Sequence, residues 1–209
     1  VFFMCLFSLL VRPLCVQDDA ESKIGFYAPP PKNAAKLTAS LRRVKVSKIS
    51  LPSPEDISFE ATLCLEVLAE RTQRFEIQTH KQREQAIIEG AKIPTVDYIL
   101  IANIAQLQVT GIKSGAWNSK SEVTVACEIE IRVVELSSGT VLSAKIGKWN
   151  PTGTAEELGI EITGELRRQG KDTELDIAPL SRGQIVRRTM DDAVRKLLPK
   201  VDQKLGDGK

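Results

Sequence analysis

The 209-residue chain has a single histidine, His80, and its four cysteines (Cys5, Cys15, Cys64, Cys127) include none of the close pairs that zinc or dithiol sites use. These shortages exclude most metal and triad chemistry, because His80 has no second histidine and no adjacent nucleophile to work with. A charge surplus is also missing. The 29 basic and 27 acidic residues leave a formal +2, whereas a phosphate-backbone binder carries a one-sided basic excess. The glycines of "GTAEELG" and "SRGQ" lack the lysine that a phosphate loop needs after its paired glycines. No nucleic acid, cofactor, metal or small-molecule ligand is expected, and no acid/base pair or activated nucleophile suggests an enzyme. Long apolar runs are scarce too. "VFFMCLFSLLVRPLCV", at residues 1–16, is too short to span a bilayer as a helix.

That run, followed by "QDDAES", resembles the core of an export signal, and residues 1–17 are read as a leader. Cys15 ends the run and is the candidate lipidation residue of a bacterial lipoprotein, although Arg12, Pro13 and Leu14 precede it in place of the usual aliphatic and small residues. Cleavage a few residues later, or an uncleaved tail, are the other readings. Three consecutive prolines, Pro29 to Pro31, stiffen residues 18–41 into a linker, the folded domain occupies 42–205, and 206–209 form a tail.

Within the domain, "RRVKVSKISL" (42–51) reads as a strand. The next segment opens a helix: Ser53 caps it, Pro54 takes the first helical position and Asp56 completes a capping box, with Ala61, Cys64, Leu65 and Leu68 on one face. "RFEIQTH" follows as a strand with Phe75 and Ile77 on one side. A second helix has Thr79 and Gln82 at capping-box spacing. The run Tyr98 to Ile101 lacks alternation, as expected of a strand covered on both faces. In the next strand Val123, Val125, Cys127, Ile129, Ile131 and Val133 share one face, and Glu128, Glu130 and Arg132 share the other. Gly139 turns the chain into a strand whose apolar face is Leu142, Ala144 and Ile146. A final helix, capped at Ser181 and Gln184, places Val186, Met190, Ala193, Leu197 and Val201 about one turn apart.

The order β-α-β-α-β-β-β-α predicts an α/β (α+β) fold, a mixed sheet of about five strands with three packed helices. Residues 157–180 can be drawn as an additional hairpin, with Leu158, Ile160, Ile162 and Leu166 on one face and a turn at 169–171. They can equally start as a helix capped by Thr154 with Glu157 at the box position; the hairpin is favoured. Cys64 and Cys127 both fall on apolar faces. A disulfide between them stays open, and two core thiols are the favoured reading.

Three stretches together, "ATLCLEVLAERTQRFEIQTHKQREQAIIE", "VDYILIANIAQLQV" and "EIEIRVVELSSGTVLSAKIGK", resemble the CsgG-like family of curli-production assembly and transport proteins over roughly residues 42–205. Ala102 and Asn103 stand where that pattern favours a glycine and a small residue, and Thr140 replaces its usual acidic residue. The resemblance implies an exported bacterial domain, periplasmic or associated with the outer membrane. It would act without catalysis in the assembly or secretion of surface structures, by oligomerising or docking other envelope proteins. The alternative is a monomeric periplasmic activator or sensor that contacts one envelope protein without forming a pore.

Secretion pores of that family insert hairpins into the membrane, so two segments matter. "TGIKSGAWNSKSE" is too short and polar for barrel strands, and residues 151–181 lack aromatic girdles and carry Glu174, Asp176 and Pro179 on the return. Hairpins or loops over the sheet edge are expected instead. Candidate partner contacts are Trp117, Trp149 and the charged face Glu128, Glu130 and Arg132. The basic residues of the last helix, interleaved with Asp191 and Asp192, read as a solvated face.

Overall fold

The computed structural model describes residues 23–47, 54–79, 82, 85–86, 88–89, 95–112, 122–169 and 172–207. In chain order the elements are β1 (Leu37–Leu41), β2 (Lys45–Val46), α1 (Pro54–Arg71), β3 (Phe75–Gln78), β4 (Tyr98–Ile112), β5 (Glu122–Glu135), β6 (Val141–Trp149), β7 (Thr152–Thr154), β8 (Ile162–Gln169), β9 (Asp172–Ile177) and α2 (Pro179–Asp207). The strands form one nine-stranded sheet with the central order β3-β1-β4-β5-β6. β3, β1 and β4 run parallel, whereas β4, β5 and β6 are antiparallel. The class is the expected mixed α+β. The sheet exceeds five strands because β2 and the β8–β9 hairpin join the edge of β4 already used by β1, and β7 adds to β5.

Two helices lie wholly within the described residues. The other expected helix falls on partly described positions, of which 82, 85, 86 and 88 are helical. Its capping box forms: the Thr79 N–H donates to Gln82 Oε1 at 3.0 Å and the Gln82 N–H to Thr79 Oγ1 at 3.2 Å. Ser53, His80, Trp117 and Cys15 lie outside the described residues.

Apolar periodicity accounts for the core. Every alternate residue from Val123 to Val133 is buried, and so are Ile57, Ala61, Leu65 and Leu68 of α1 and Val186, Met190, Ala193, Leu197 and Val201 of α2. The two helices pack against each other on one side of the sheet, α1 over β2 and β3, α2 over β5 and β6. Both described thiols are free, Cys127 buried and Cys64 half-buried. Burial pushes Cys127 up to about 12 and Cys64 up to about 11.

Four sequence expectations are corrected. First, β6 has the opposite phase. Ser143 and Gly147 are its buried residues, while Ala144 and Ile146 are exposed and Leu142 is half-buried. A bulge between Val133 and Val134 sets this register, pairing Ser143 with Val133 and Gly147 with Ile129. α2 lies so close at Gly147 that a Cβ there would sit 2.7 Å from the Ala193 backbone nitrogen. A glycine was needed where an apolar pattern seeks a side chain.

Second, the strand expected at 42–51 starts earlier and is broken. Leu37–Leu41 pairs with β3 and β4, and the chain leaves the ladder at 42–44. There α1 claims the backbone of buried Val44: its N–H donates to Thr62 Oγ1 at 2.9 Å, and its carbonyl accepts from Ser58 Oγ.

Third, the residues read as a proline-rich linker are docked from Lys23 onward. Asp191 of α2, 6% exposed, accepts the Gly25 N–H at 2.9 Å, the Tyr27 hydroxyl at 2.7 Å and Arg195 Nε at 2.7 Å. Burial first, and then the bond to Asp191, raise the Tyr27 hydroxyl well above its ordinary value. Arg74, 1% exposed, is bidentate with Asp202 at 2.6 and 2.9 Å, and it also donates to the carbonyls of Ala28, Pro29 and Thr72. Its five donor hydrogens match this set of acceptors, which is why a guanidinium is tolerated there.

Fourth, α2 begins at Pro179 and not at Ser181. Proline suits a first helical position, and Ser181 Oγ accepts the Glu161 N–H at 3.0 Å instead of capping.

Residues 151–180 combine both readings. Thr154 and Glu157 form the reciprocal capping bonds at 2.8 and 3.2 Å, closing one turn, after which β8 and β9 make the hairpin. The bonds from Thr154 hold the pKa of Glu157 below its ordinary value. The hairpin lies in the sheet, with β9 paired to residues 110–112 of β4.

Candidate functional site

The sheet face opposite the helices carries three rows of side chains set by register. Lys45 of β2 pairs with Asn103 of β4, Asn103 with Glu130 of β5, and Glu130 with Ile146 of β6. One step along lie Ile101, Arg132 and Ala144, and one step the other way Gln106, Glu128 and Lys148. No described element packs over these rows on β4 to β6, because both helices contact the other face.

Local pairing holds the charges in place. Arg132 is bidentate with Glu130 at 2.9 and 2.8 Å, Lys148 reaches Glu128 across the strands at 2.5 Å, and Ser47 Oγ donates to Asn103 Oδ1 at 2.6 Å. A recess of about 270 Å³ opens between Lys45, Ser47, Ile101, Asn103, Glu130 and Arg132. The run Tyr98 to Ile101, expected to be covered on both faces, is therefore one-sided, with Ile99 and Ile101 only half-buried. Tyr98, Leu100, Ala102 and Ile104 are buried, whereas Ile101 is only half-buried and Ile146 is 46% exposed.

Glu128, Glu130 and Arg132 thus fall on the uncovered face together, but Trp149 does not join them. It pairs with Cys127 on the helix side, half-buried against the core, with the Arg188 guanidinium 5.0 Å from its ring centroid. Lys45, Ser47 and Lys148 were not singled out from the sequence, and Asn103 was noted there only as a departure from the family pattern, not as a site residue. Only Asn103 gave a signal, as a polar residue inside an apolar strand.

The acid–base properties are those of structural groups. Tyr27, Tyr98, Cys64 and Cys127 are raised chiefly by burial, and Glu66 by burial and then by Glu70. Among the described residues no group of three or more His, Cys, Asp or Glu could hold a metal ion. No described helix is long and apolar enough to cross a membrane. The arrangement can bind by shape, ion pairing and apolar contact.

No protein-family model and no curated protein matches the sequence. Solved structures give distant likenesses. Protein XCC0632 from Xanthomonas campestris aligns at 6% identity and TM-score 0.46, over 88% of this chain and 96% of its own. The PelC dodecamer from Paraburkholderia phytofirmans aligns at 14% identity and TM-score 0.38, over 82% and 94%. The LpoB C-terminal domain from Escherichia coli aligns at 14% identity and TM-score 0.33, over 64% and 93%. At these TM-scores the likenesses assign neither a family nor a function to the chain.

Proposed function

We propose that this chain is a CsgG-like, non-enzymatic component of the bacterial envelope, exported through its N-terminal segment, that works in assembly or secretion by docking other envelope proteins on its open sheet face. The observation that carries the docking is the uncovered pair Ile101 and Ile146, set among the ion pairs Glu130–Arg132 and Glu128–Lys148. Glu130 and Arg132 of β5 stand between Ile101 of β4 and Ile146 of β6, so half-exposed isoleucines alternate across the face with charges that are already positioned, a mixed surface suited to a polar, partly apolar contact. Export is supported by the apolar run at residues 1–16. The family reading is supported by the order in which "VDYILIANIAQLQV" and the β5–β6 hairpin follow one another.

A photo-crosslinking residue at Arg132, compared in living bacterial cells with one at exposed Ser138 on the hairpin turn, tests this. The expected result is an adduct with an envelope protein from position 132 and none from 138, in the membrane or periplasmic fraction. Recovery of the chain in the cytosol, or no adduct specific to position 132, overturns the proposal.

A further inference from the structure

The outer side of α1 is built unlike an ordinary solvated helix face. Phe59, Leu63 and Val67 recur every four residues and are 57%, 47% and 47% exposed, a ridge about 12 Å long at 1.5 Å per residue. Phe26, 70% exposed, lines a recess of about 560 Å³ with Val67, Glu70 and Arg71 and so extends the ridge. Together the four side chains leave on the order of 400 Å² of apolar surface in water, the size at which a patch on a monomer is often functional. Phe26 is held in place by its neighbours. The Gly25 N–H and the Tyr27 hydroxyl both donate to buried Asp191, at 2.9 and 2.7 Å, and Gly25 turns the chain at a φ of 77°, where a Cβ would lie 2.8 Å from Arg71 Nη1. An aromatic ring fixed in water in this way loses little conformational freedom when a partner covers it.

The charges beside the ridge are of one sign. Glu60, Glu66 and Glu70 border it, and none of them is ion-paired with a described residue. Glu55 and Asp56 in the first turn have an ordinary reason, since a helix N-terminus favours negative charge. Glu66 and Glu70 have none. They stand four residues apart, a repulsive spacing, and Glu70 lies in the last turn, where the helix dipole favours cations. Burial, and then Glu70, hold the pKa of Glu66 above its ordinary value. Arg71 does not neutralise the pair, because it lies over Gly25 and forms no ion pair with a described residue.

An apolar ridge with surplus acid is complemented by a surface that is both apolar and basic. The backbone of α1 is bonded within the helix, so no strand can add here and the ridge meets side chains alone, as a second helix crossing it supplies them. An anionic lipid surface is repelled. A second copy of this chain is a poor match, because Arg132, Lys148, Arg168, Arg195, Lys196 and Lys204 are each ion-paired within the molecule. We propose that the face formed by Phe26, Phe59, Leu63 and Val67 docks a basic amphipathic helix of another protein. Its apolar residues, three and four apart, lie along the ridge with one in the recess beside Phe26, and its lysines or arginines reach Glu60, Glu66 and Glu70. This face is on the helix side of the sheet, so the contact does not rest on the docking proposed for the open face.

Fluorescence anisotropy of the full chain with a labelled designed helix of about 18 residues, carrying leucine every three to four residues and lysine on both flanks, tests the chemistry. The wild type is expected to bind this probe at least tenfold more tightly than the same peptide with glutamate for lysine or with scrambled leucine spacing, and to release it as salt is raised. Leu63→Gln with Val67→Gln, or Glu60→Lys with Glu70→Lys, is expected to weaken binding on the order of thirtyfold, with circular dichroism confirming the fold, and the lysine variant is expected to take up the glutamate peptide. Arg132→Glu, which damages the open face, is expected to bind as the wild type does. No binding of the lysine probe, equal binding of the scrambled one, binding that survives either pair of substitutions, a loss with Arg132→Glu, or a preference for vesicles of phosphatidylglycerol overturns the proposal. In living cells a photo-crosslinking residue at Leu63 is expected to join a basic segment of another protein with apolar residues at that spacing, and an acidic segment, a copy of this chain or no adduct overturns it equally.

Discussion

Replacing Gly147 with alanine is expected to destabilise the protein by about 3 kcal/mol, although the same change at an unconstrained strand position is favourable by roughly 0.5–1 kcal/mol. The sign comes from what the new methyl would meet. A Cβ at Gly147 falls 2.7 Å from the Ala193 nitrogen and 2.9 Å from the Ala193 Cβ, and it also strikes the Thr189 carbonyl. Ordinary carbon contacts lie at about 3.5–4.0 Å. Two of the three obstacles are helix backbone, which cannot rotate aside, so α2 must lift off β6 and part with contacts on both sides. For a chain of this size the loss corresponds to a fall in melting temperature of roughly 6–12 °C. Gly164→Ala in β8, where a Cβ meets nothing within 4 Å, is the control and is expected to be neutral or mildly stabilising. Urea denaturation of the two variants checks the argument. A Gly147→Ala midpoint equal to or above that of the wild type refutes the close packing of helix on strand.

Two further outcomes follow from buried polar groups. Asp202→Ala leaves the guanidinium of Arg74, 2% exposed at its side chain, without its carboxylate, and is expected to cost about 3 kcal/mol. Limited trypsin digestion reads the accompanying release of residues 23–31 as faster cleavage after Lys23, and an unchanged digestion rate and stability would sink the idea that this pair anchors the segment. Cys127 ionises near 9 when unfolded and at about 12 when folded, so its contribution is fully present below pH 9 and is lost as pH rises from 9 toward 12. At pH 10.5 the unfolded chain gains about 2 kcal/mol by ionising this thiol. Comparing wild type with Cys127→Ala at pH 8 and pH 10.5, the stability gap should narrow at the higher pH, and a constant gap contradicts a protonated, buried thiol.

Local pattern in the sequence suffices for the existence of the two described helices and of the one-sided strand. Those elements are written in local periodicities, such as Val123 to Val133 at every second residue and Val186 to Val201 at helical spacing, and burying such a stripe needs only some apolar partner. Capping boxes are equally local, which is why the Thr79–Gln82 and Thr154–Glu157 pairs were legible before their surroundings were known. On the candidate site, Glu128, Glu130 and Arg132 could be assigned to one face by alternation alone. Their neighbours Lys45, Asn103 and Lys148 could not, because cross-strand register depends on bulges and on partners more than fifty residues away, as with Lys45 and Asn103. That β6 turns its glycine and serine toward α2 emerges from packing, since close approach of backbones selects small residues that an apolar pattern reads as solvent-facing. Tertiary contacts alone place Lys23 to Pro31 in the body as well. Proline-rich composition describes a stiff chain, whereas the carboxylate of Asp191 and the five donors of Arg74, brought in from distant parts of the sequence, are what bind that chain in place.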